Sequence, residues 1–459
     1  MRGAVIGRSI LAGLLLGLTS IVASAGAAER CAECVTAGAG YAAFRVPPGT
    51  PLAGYGGLQR RLLFPDLFGR YRYAFWFRPS AGQHDPVGAR ALVLENPKAR
   101  VAWVTVDLIA VDRAFTTALQ ERLTATSFPP ATLIVSASHT HSGPGAFMDS
   151  ELSGLIAVDR MDSTVRSALI EGVAAAIRRA DGARAPALFA ATRVTAPAVT
   201  SSRIREPLDP EIVVLKITRT DGKPLAVVWN FAIHGTMFPA GSLQLSGDVT
   251  GAASAMLEQR LGVPALFVNG AVGDVSPAGH GLTALSETAG ALAAAVETGW
   301  AEARAVPAVG LRVARQTVAL PRPAVSLKRC AGGWVPGFFA LPLFGLAAET
   351  ELIGAAVGDT AWVTIPGELQ TSFGLAIKRE LRGLFGAVFL AGLSNDYLGY
   401  FMGPEAAASK SYVACATLYG PDTASCLADG ALDVFYRLAE RTRPAGRSSP
   451  RCAAGRETR

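Results

Sequence analysis

Apolar runs rich in β-branched residues alternate with alanine-rich amphipathic runs along most of this chain, and that alternation leaves few folds open. Val101-Ala102-Trp103-Val104-Thr105-Val106 has the make-up of a buried strand, and Arg113 to Thr124 has helical spacing. Ala131 to Ser136 is a strand again. Met161 to Arg179 sets Val165, Leu169, Val173 and Ile177 on one helical face. The strands 212–217 and 225–231 flank Asp221-Gly222, a hairpin turn signal. Helices are predicted over Thr250–Leu261, Leu282–Ala303 and Leu369–Leu384, with strands over 265–268, 361–365 and 387–390. This order specifies an α/β protein, a layered fold with a mixed β-sheet flanked by helices. Folds of that kind place their active sites at strand C-terminal ends.

The bulk numbers agree. Of 459 residues half are hydrophobic and 17% are charged, which suits a packed core rather than a disordered chain. The formal charge is +7, with arginines gathered near both ends, among them Arg2, Arg8, Arg30 and the tail from Arg441 to Arg459. Basic residues form no stripe interleaved with aromatics, which argues against a nucleic-acid partner. Peripheral contact with an anionic membrane surface stays open. Arg2 and Arg8 precede an uncharged, leucine-rich stretch from Ser9 to Ala28 that ends in small residues. Residues 1–28 therefore read as a secretory signal peptide, with an uncleaved anchor as the alternative. Either places the body outside the cytosol, in the periplasm or secreted. Cys31, Cys34, Cys330, Cys415, Cys426 and Cys452 are even in number, as disulfides require, and Cys415 with Cys426 is the expected local pair. The apolar, Pro/Gly-broken stretch Trp334 to Phe344 is expected to be core or a flap. Residues 441–459 read as a flexible basic tail.

The chain has only five histidines, and His139 and His141 sit together in Ser138-His139-Thr140-His141-Ser142-Gly143-Pro144-Gly145. This segment follows a strand, where i, i+2 side chains point the same way. Three more strand ends carry polar groups. His234 ends the strand 229–233. Asn269 to Pro277, containing Gly273-Asp274-Val275-Ser276-Pro277, follows the strand at 265. Pro366-Gly367-Glu368 and Gly392 to Tyr400 follow the last two strands. Two histidines and a carboxylate with one open position are donors suited to a hydrolytic zinc site. Asp248 and Asp274 read as turn residues or supports, and His84 and His280 as loop residues.

His-Thr-His-Ser-Gly-Pro-Gly at 139–145, Gly-Asp-Val-Ser-Pro at 273–277, Pro-Gly-Glu at 366–368 and Asn-x-Tyr-x-x-Tyr at 395–400 resemble the neutral ceramidases, the neutral/alkaline non-lysosomal type. Ser246-Gly247-Asp248 and Leu418-Tyr419-Gly420-Pro421 are similar too, and the motifs run in family order across roughly residues 38 to 425. The resemblance implies a zinc amidohydrolase, with one Zn2+ per chain, cleaving the N-acyl bond of ceramide or a related lipid to fatty acid and amine. It assigns metal ligation to His139, His234, Glu368 and Tyr400. It gives His141 a catalytic place near the scissile carbonyl, Ser276 a role as nucleophile or substrate partner, and Arg203 the stabilisation of the oxyanion. Residues 29–440 then form the ceramidase-like catalytic domain. Two departures stand out. Val413 replaces the glutamate usual in the family's Tyr-Glu stretch, and the short remainder after Pro421 is expected to lack the family's immunoglobulin-like C-terminal domain.

Two rivals remain at this level. One is a metal-dependent esterase or phosphoesterase on the same ligands, although D-x-H and G-N-H-[DE] motifs of dinuclear phosphoesterases are not found. The other is a non-catalytic envelope binding protein on the same scaffold, against which the retention of His141 and Ser276 beside four ligands argues.

Overall fold

The computed structural model describes residues 34–308, 310–326, 330, 340–343, 346–408 and 411–444. The expected signal peptide, most of the tail and most of the stretch Trp334 to Phe344 lie outside them.

Among the described residues the alternation read from the sequence builds two main sheets rather than one, beside four two-stranded pairs. The larger has nine strands. Eight run in spatial order Ala265–Asn269, Pro224–Phe231, Glu211–Arg219, Ala185–Thr195, Thr36–Ala43, Gly88–Glu95, Arg100–Val106 and Thr132–Ala137, and Val306–Pro307 pairs Ala185–Thr195. It is mixed: the outermost pair at each end is parallel and the other pairs are antiparallel. The second sheet orders Leu311–Ala319, Glu349–Val357, Thr360–Thr364 and Ala387–Ala391, the last two parallel. One buried cluster joins the two sheets, with Trp103, Ile134, Val228 and Val268 from the first and Ile353, Trp362 and Phe389 from the second. Trp103 and Trp362 stack at 4.7 Å between ring centroids, a pairing worth about 1 kcal/mol beyond area burial.

Helices cover the outer faces. Arg113–Ala125 and Ser163–Gly182 pack on one half of the large sheet, and Asp248–Leu261 and Leu282–Glu302 on the other. Thr371–Glu380 and Thr423–Leu438 cover the small sheet. The result is an α/β/β/α sandwich, the layered α/β fold expected, with its mixed sheet flanked by helices. The strand Thr36–Ala43 shows why part of it was invisible. Its sequence, Thr-Ala-Gly-Ala-Gly-Tyr-Ala-Ala, has little strand character. A Cβ on Gly38 would lie 2.1 Å from the Ala180 carbonyl oxygen, so small residues let helix Ser163–Gly182 sit directly on the strand.

One expectation changes. A disulfide joins Cys415 to Cys330, not to Cys426. Among the described residues no cysteine is free. Among them, too, no helix is long and apolar enough to cross a membrane.

Candidate active site

The strand ends converge as their sequence positions implied. His139 follows Thr132–Ala137, His234 follows Pro224–Phe231, Glu368 follows Thr360–Thr364, and Tyr400 lies beyond Ala387–Ala391. Asparagines stitch these ends together. Asn269 Nδ2 donates to the carbonyls of Ser138 and Ile233 at 3.3 and 3.0 Å. Asn395 accepts from Val135 N at 2.7 Å and donates to the Leu133 carbonyl at 3.1 Å. The two histidine segments also pair directly, His141 N donating to the Gly235 carbonyl at 2.8 Å.

The local backbone differs from the extended chain that the i, i+2 argument assumed. His139 has φ +68°, a left-handed conformation uncommon outside glycine. Both rings still face one point, because the chain turns there: their centroids are 4.9 Å apart and nearly perpendicular. His139 also meets His234 at 4.5 Å. One ligand-capable atom from each of His139, His141 and His234 lies within 4.8 Å of the others.

Glu368 completes the cluster. Its Oε2 is 3.0 Å from His234 Nε2 and its Oε1 is 3.4 Å from His139 Nε2, all with side chains almost wholly buried. The distances are those of ion pairs, but the angles make no hydrogen bond at His139 Nε2, His234 Nε2 or Glu368 Oε2. His139 Nδ1 donates to the Ile109 carbonyl at 2.7 Å, which orients the ring with Nε2 turned inward. Burial holds His234 in its neutral form, down to about 3, with Arg203 and His139 adding repulsion. Burial likewise pushes His141 well below the usual imidazole range. Burial works to raise Glu368, but the neighbouring His139 and His234 outweigh it and hold the carboxyl well below its ordinary value. Buried imidazoles and an ionised carboxylate with unused donor atoms are the donor set of a zinc-type centre. The residues fit a metal ion.

The remaining candidates group on one side. Arg203 Nε donates to Ser276 Oγ at 2.7 Å, and its Nη1 is 3.4 Å from the Tyr400 hydroxyl. Its guanidinium lies 5.4 Å from the Tyr412 ring. Tyr400 is a buried phenol, held well above its ordinary pKa by burial and by Glu368. Ser276 sits on Val275–Pro277, opposite Ser201, and is not among the residues lining the cavity; it reaches the site through Arg203. His139, His141, Arg203, Glu368 and Tyr400 all line a cavity of about 680 Å³, whose walls include Met148, Leu152, Ile156, Val158 and Leu418.

The structure adds residues the sequence reading passed over. Tyr397 donates its hydroxyl to Glu368 Oε1 at 2.8 Å. The Tyr55 ring packs 5.1 Å from His141. Arg60, buried, donates to the His141 carbonyl at 2.7 Å and to Ser142 Oγ at 3.1 Å. Gly54, at φ +108°, passes so close that a Cβ there would lie 2.6 Å from His141 Cα. Asn-x-Tyr-x-x-Tyr held a usable signal for Tyr397; Tyr55 and Arg60 carried none, since only the fold brings them to the histidines.

Asp248 supports the His234 loop, as expected of it, by accepting from Met237 N, Phe238 N and Val249 N at 3.2, 2.8 and 2.7 Å. Burial raises it to about 6 in spite of those bonds. The unfolded carboxyl titrates near 3.8, so between the two values the native state binds the extra proton. Stability from this group is therefore present at low pH and lost as pH rises through about 6. At 1.36 kcal/mol per unit the full difference is about 3 kcal/mol. The cost of Asp248→Asn, measured by urea unfolding, should fall by up to that amount between about pH 4 and about pH 7. A cost independent of pH would refute the assignment.

Three histidines and a glutamate with open lone pairs, at the strand ends of an α/β/β/α sandwich and at the base of an apolar cavity, define a candidate metallohydrolase centre. Residues 70–295 match the family described as neutral/alkaline non-lysosomal ceramidase, N-terminal. The neutral ceramidase of Pseudomonas aeruginosa is 26% identical over 232 residues, 46% of this chain and 34% of that protein. That of Drosophila pseudoobscura pseudoobscura is 34% identical over 89 residues, 18% of this chain and 12% of its own length. The chain thus matches about a third or less of the length of these relatives. Among solved structures, the Pseudomonas aeruginosa neutral ceramidase superposes with a TM-score of 0.73 at 19% identity, covering 92% of this chain and 77% of that one. A structure described as ceramidase complexed with C2 gives 0.75 at 19% identity, covering 91% and 77%.

Proposed function

We propose that this protein is a secreted, zinc-dependent amidohydrolase that cleaves the N-acyl bond of ceramide or a related lipid amide. The observation that carries the reading is the set of unpartnered buried donors on His139, His234 and Glu368, with His139 and Glu368 lining a large apolar cavity. The family match over residues 70–295 and the names of the relatives support the same substrate class.

His139, His234 and Glu368 would hold the ion, with Tyr400 beside them as the fourth ligand the resemblance implies. When bound, zinc supplies Lewis acidity and a hydroxide nucleophile at ambient pH. The other steps belong to the chain's own side chains. The apolar walls take the acyl chain and exclude bulk water. Arg203 presents its N–H groups to the carbonyl oxygen that gains charge. Both His141 ring nitrogens are buried without a partner, so the ring is available to pass a proton to the leaving amine. Ser276 has an arginine, not a base, on its hydroxyl, which favours a positioning role over nucleophilic attack.

The purified protein should release fatty acid from a short-chain fluorescent ceramide, lose this on chelation and regain it with zinc. A panel of N-acyl lipids and matched esters tests the class; turnover of esters alone would overturn the amide reading. Export rests on residues 1–28 and is checked by mass spectrometry of the exported chain, whose N-terminus should fall near residue 29.

A further inference from the structure

Leu58, Leu63, Phe64, Leu67 and Phe68 are 74–93% exposed, and they fall within eleven residues of one another in a single lobe. Exposed apolar side chains in that density mark an interaction surface. The lobe is built, not loose. Leu62 N donates to the Trp76 carbonyl at 3.1 Å and Asp66 N to the Phe75 carbonyl at 2.9 Å. The buried Asp159 carboxylate accepts from Phe75 N, Trp76 N and Phe77 N at 3.0, 3.0 and 3.1 Å. Arg61 clips the lobe to the mouth of the active-site cavity. Its Nη2 donates to the carbonyls of Leu155 and Ile156, and Ile156 both lines the cavity and is half-exposed.

The charge around these side chains has one sign. Between Leu58 and Arg72 the one acid is Asp66, while Arg70 and Arg72 are exposed and Arg61 is partly so. Here basic and aromatic residues interleave over a short run, although no such stripe extends along the chain. Leucine and phenylalanine projecting among arginines is the chemistry of an interfacial anchor, the apolar groups entering the acyl boundary and the guanidiniums meeting anionic headgroups.

We propose that the lobe 58–72 docks this protein on the surface of an anionic lipid bilayer, with the cavity mouth turned toward the membrane. The proposal deepens the lipid-amide reading by supplying a route for a substrate that does not leave the bilayer freely, but its test needs no turnover. Wild-type protein should partition onto vesicles of mixed phosphatidylcholine and phosphatidylglycerol, and less onto phosphatidylcholine alone. The variant Leu63→Ser/Phe64→Ser/Leu67→Ser/Phe68→Ser should lose at least about tenfold in partitioning. Arg70→Glu/Arg72→Glu should lose the preference for the anionic lipid. Because these side chains are exposed, unchanged thermal melts will show the variants folded. A Leu63→Trp reporter should shift its emission to the blue on vesicles and be quenched by brominated lipid. Equal partitioning of wild type and quadruple variant, with no shift at Trp, overturns the proposal. So does concentration-dependent self-association without lipid that the quadruple variant abolishes, which would assign the surface to a second copy. Vesicle binding without hydrolysis of any amide would leave the docking surface standing and the proposed function refuted; hydrolysis of a water-soluble amide with equal partitioning does the reverse.

Discussion

His139→Ala and His234→Ala should each lower bound zinc from about one ion per chain to below about a tenth, and hydrolysis should fall at least about 10³-fold. The size follows from what each ring does. His234 Nε2 faces Glu368 Oε2 at 3.0 Å, so removing the ring takes away one donor and leaves the buried carboxylate with one fewer partner. Removing His139 deletes the imidazole that the Ile109 carbonyl orients. Several kcal/mol of charge stabilisation disappear with the ion, and each 1.36 kcal/mol is a factor of ten in rate. His84→Ala, at an exposed histidine outside the cavity, should retain both zinc and activity. Elemental analysis of the purified variants decides the matter; full occupancy in both ligand variants would sink the assignment. The same measurement on His141→Ala separates the two roles open to that residue. It clusters with the other two histidines, whereas the family resemblance places it at the substrate. Retained zinc with lost turnover supports the catalytic role, and lost zinc makes it a third imidazole ligand.

Arg203→Ala should cost about 10²–10³ in kcat, or about 3–4 kcal/mol, with zinc content unchanged. The guanidinium is held by the Ser276 hydroxyl on one side and lies against the Tyr412 ring on another, so it is aimed before substrate arrives. Arg203→Lys should recover only part of the loss, because a lysine ammonium cannot reproduce the planar fork that spans Ser276 and Tyr400. Ser276→Ala then reads out the serine's role. A positioning hydroxyl predicts a loss of about tenfold, since the arginine keeps its charge and place in the wall. A nucleophile predicts a loss on the order of 10⁶-fold. Steady-state kinetics with matched zinc analyses distinguish these results, and an Arg203→Ala enzyme with wild-type kcat would remove it from the mechanism.

The residues that could be read from the sequence were those whose chemistry is written in local order. The hairpin around Asp221-Gly222 appears where its turn signal put it, with Gly222 at positive φ. His139, His234 and Glu368 were legible because each follows an apolar strand, and strand ends of an α/β sheet meet. Other features were not legible. The pairing of two sheets face to face depends on contacts such as Trp103 with Trp362, far apart in the chain and each unremarkable in its own strand. The strand Thr36–Ala43 is set by the helix packed on it, and small residues give no strand signal. The left-handed His139 was hidden because the Ser-His-Thr-His segment reads as extended, while the convergence of the rings comes from the turn. Arg60 and Tyr55 belong to the same category: their part in the site exists only once the chain has folded them against His141. The cysteine pairing failed for the opposite reason, since nearness in sequence favoured Cys426 and nearness in space chose Cys330.

The donors come from both halves of the sandwich: His139 and His234 from the nine-stranded sheet, Glu368 from beyond a strand of the four-stranded one. An ion gripped by all three is therefore a rivet through the two layers. Its binding energy counts toward folding, by about 4 kcal/mol when free metal stands a thousandfold above its dissociation constant. With zinc bound as proposed, metal supply in the surrounding medium would govern lifetime as well as turnover, and withholding zinc would withdraw a fastener from the fold.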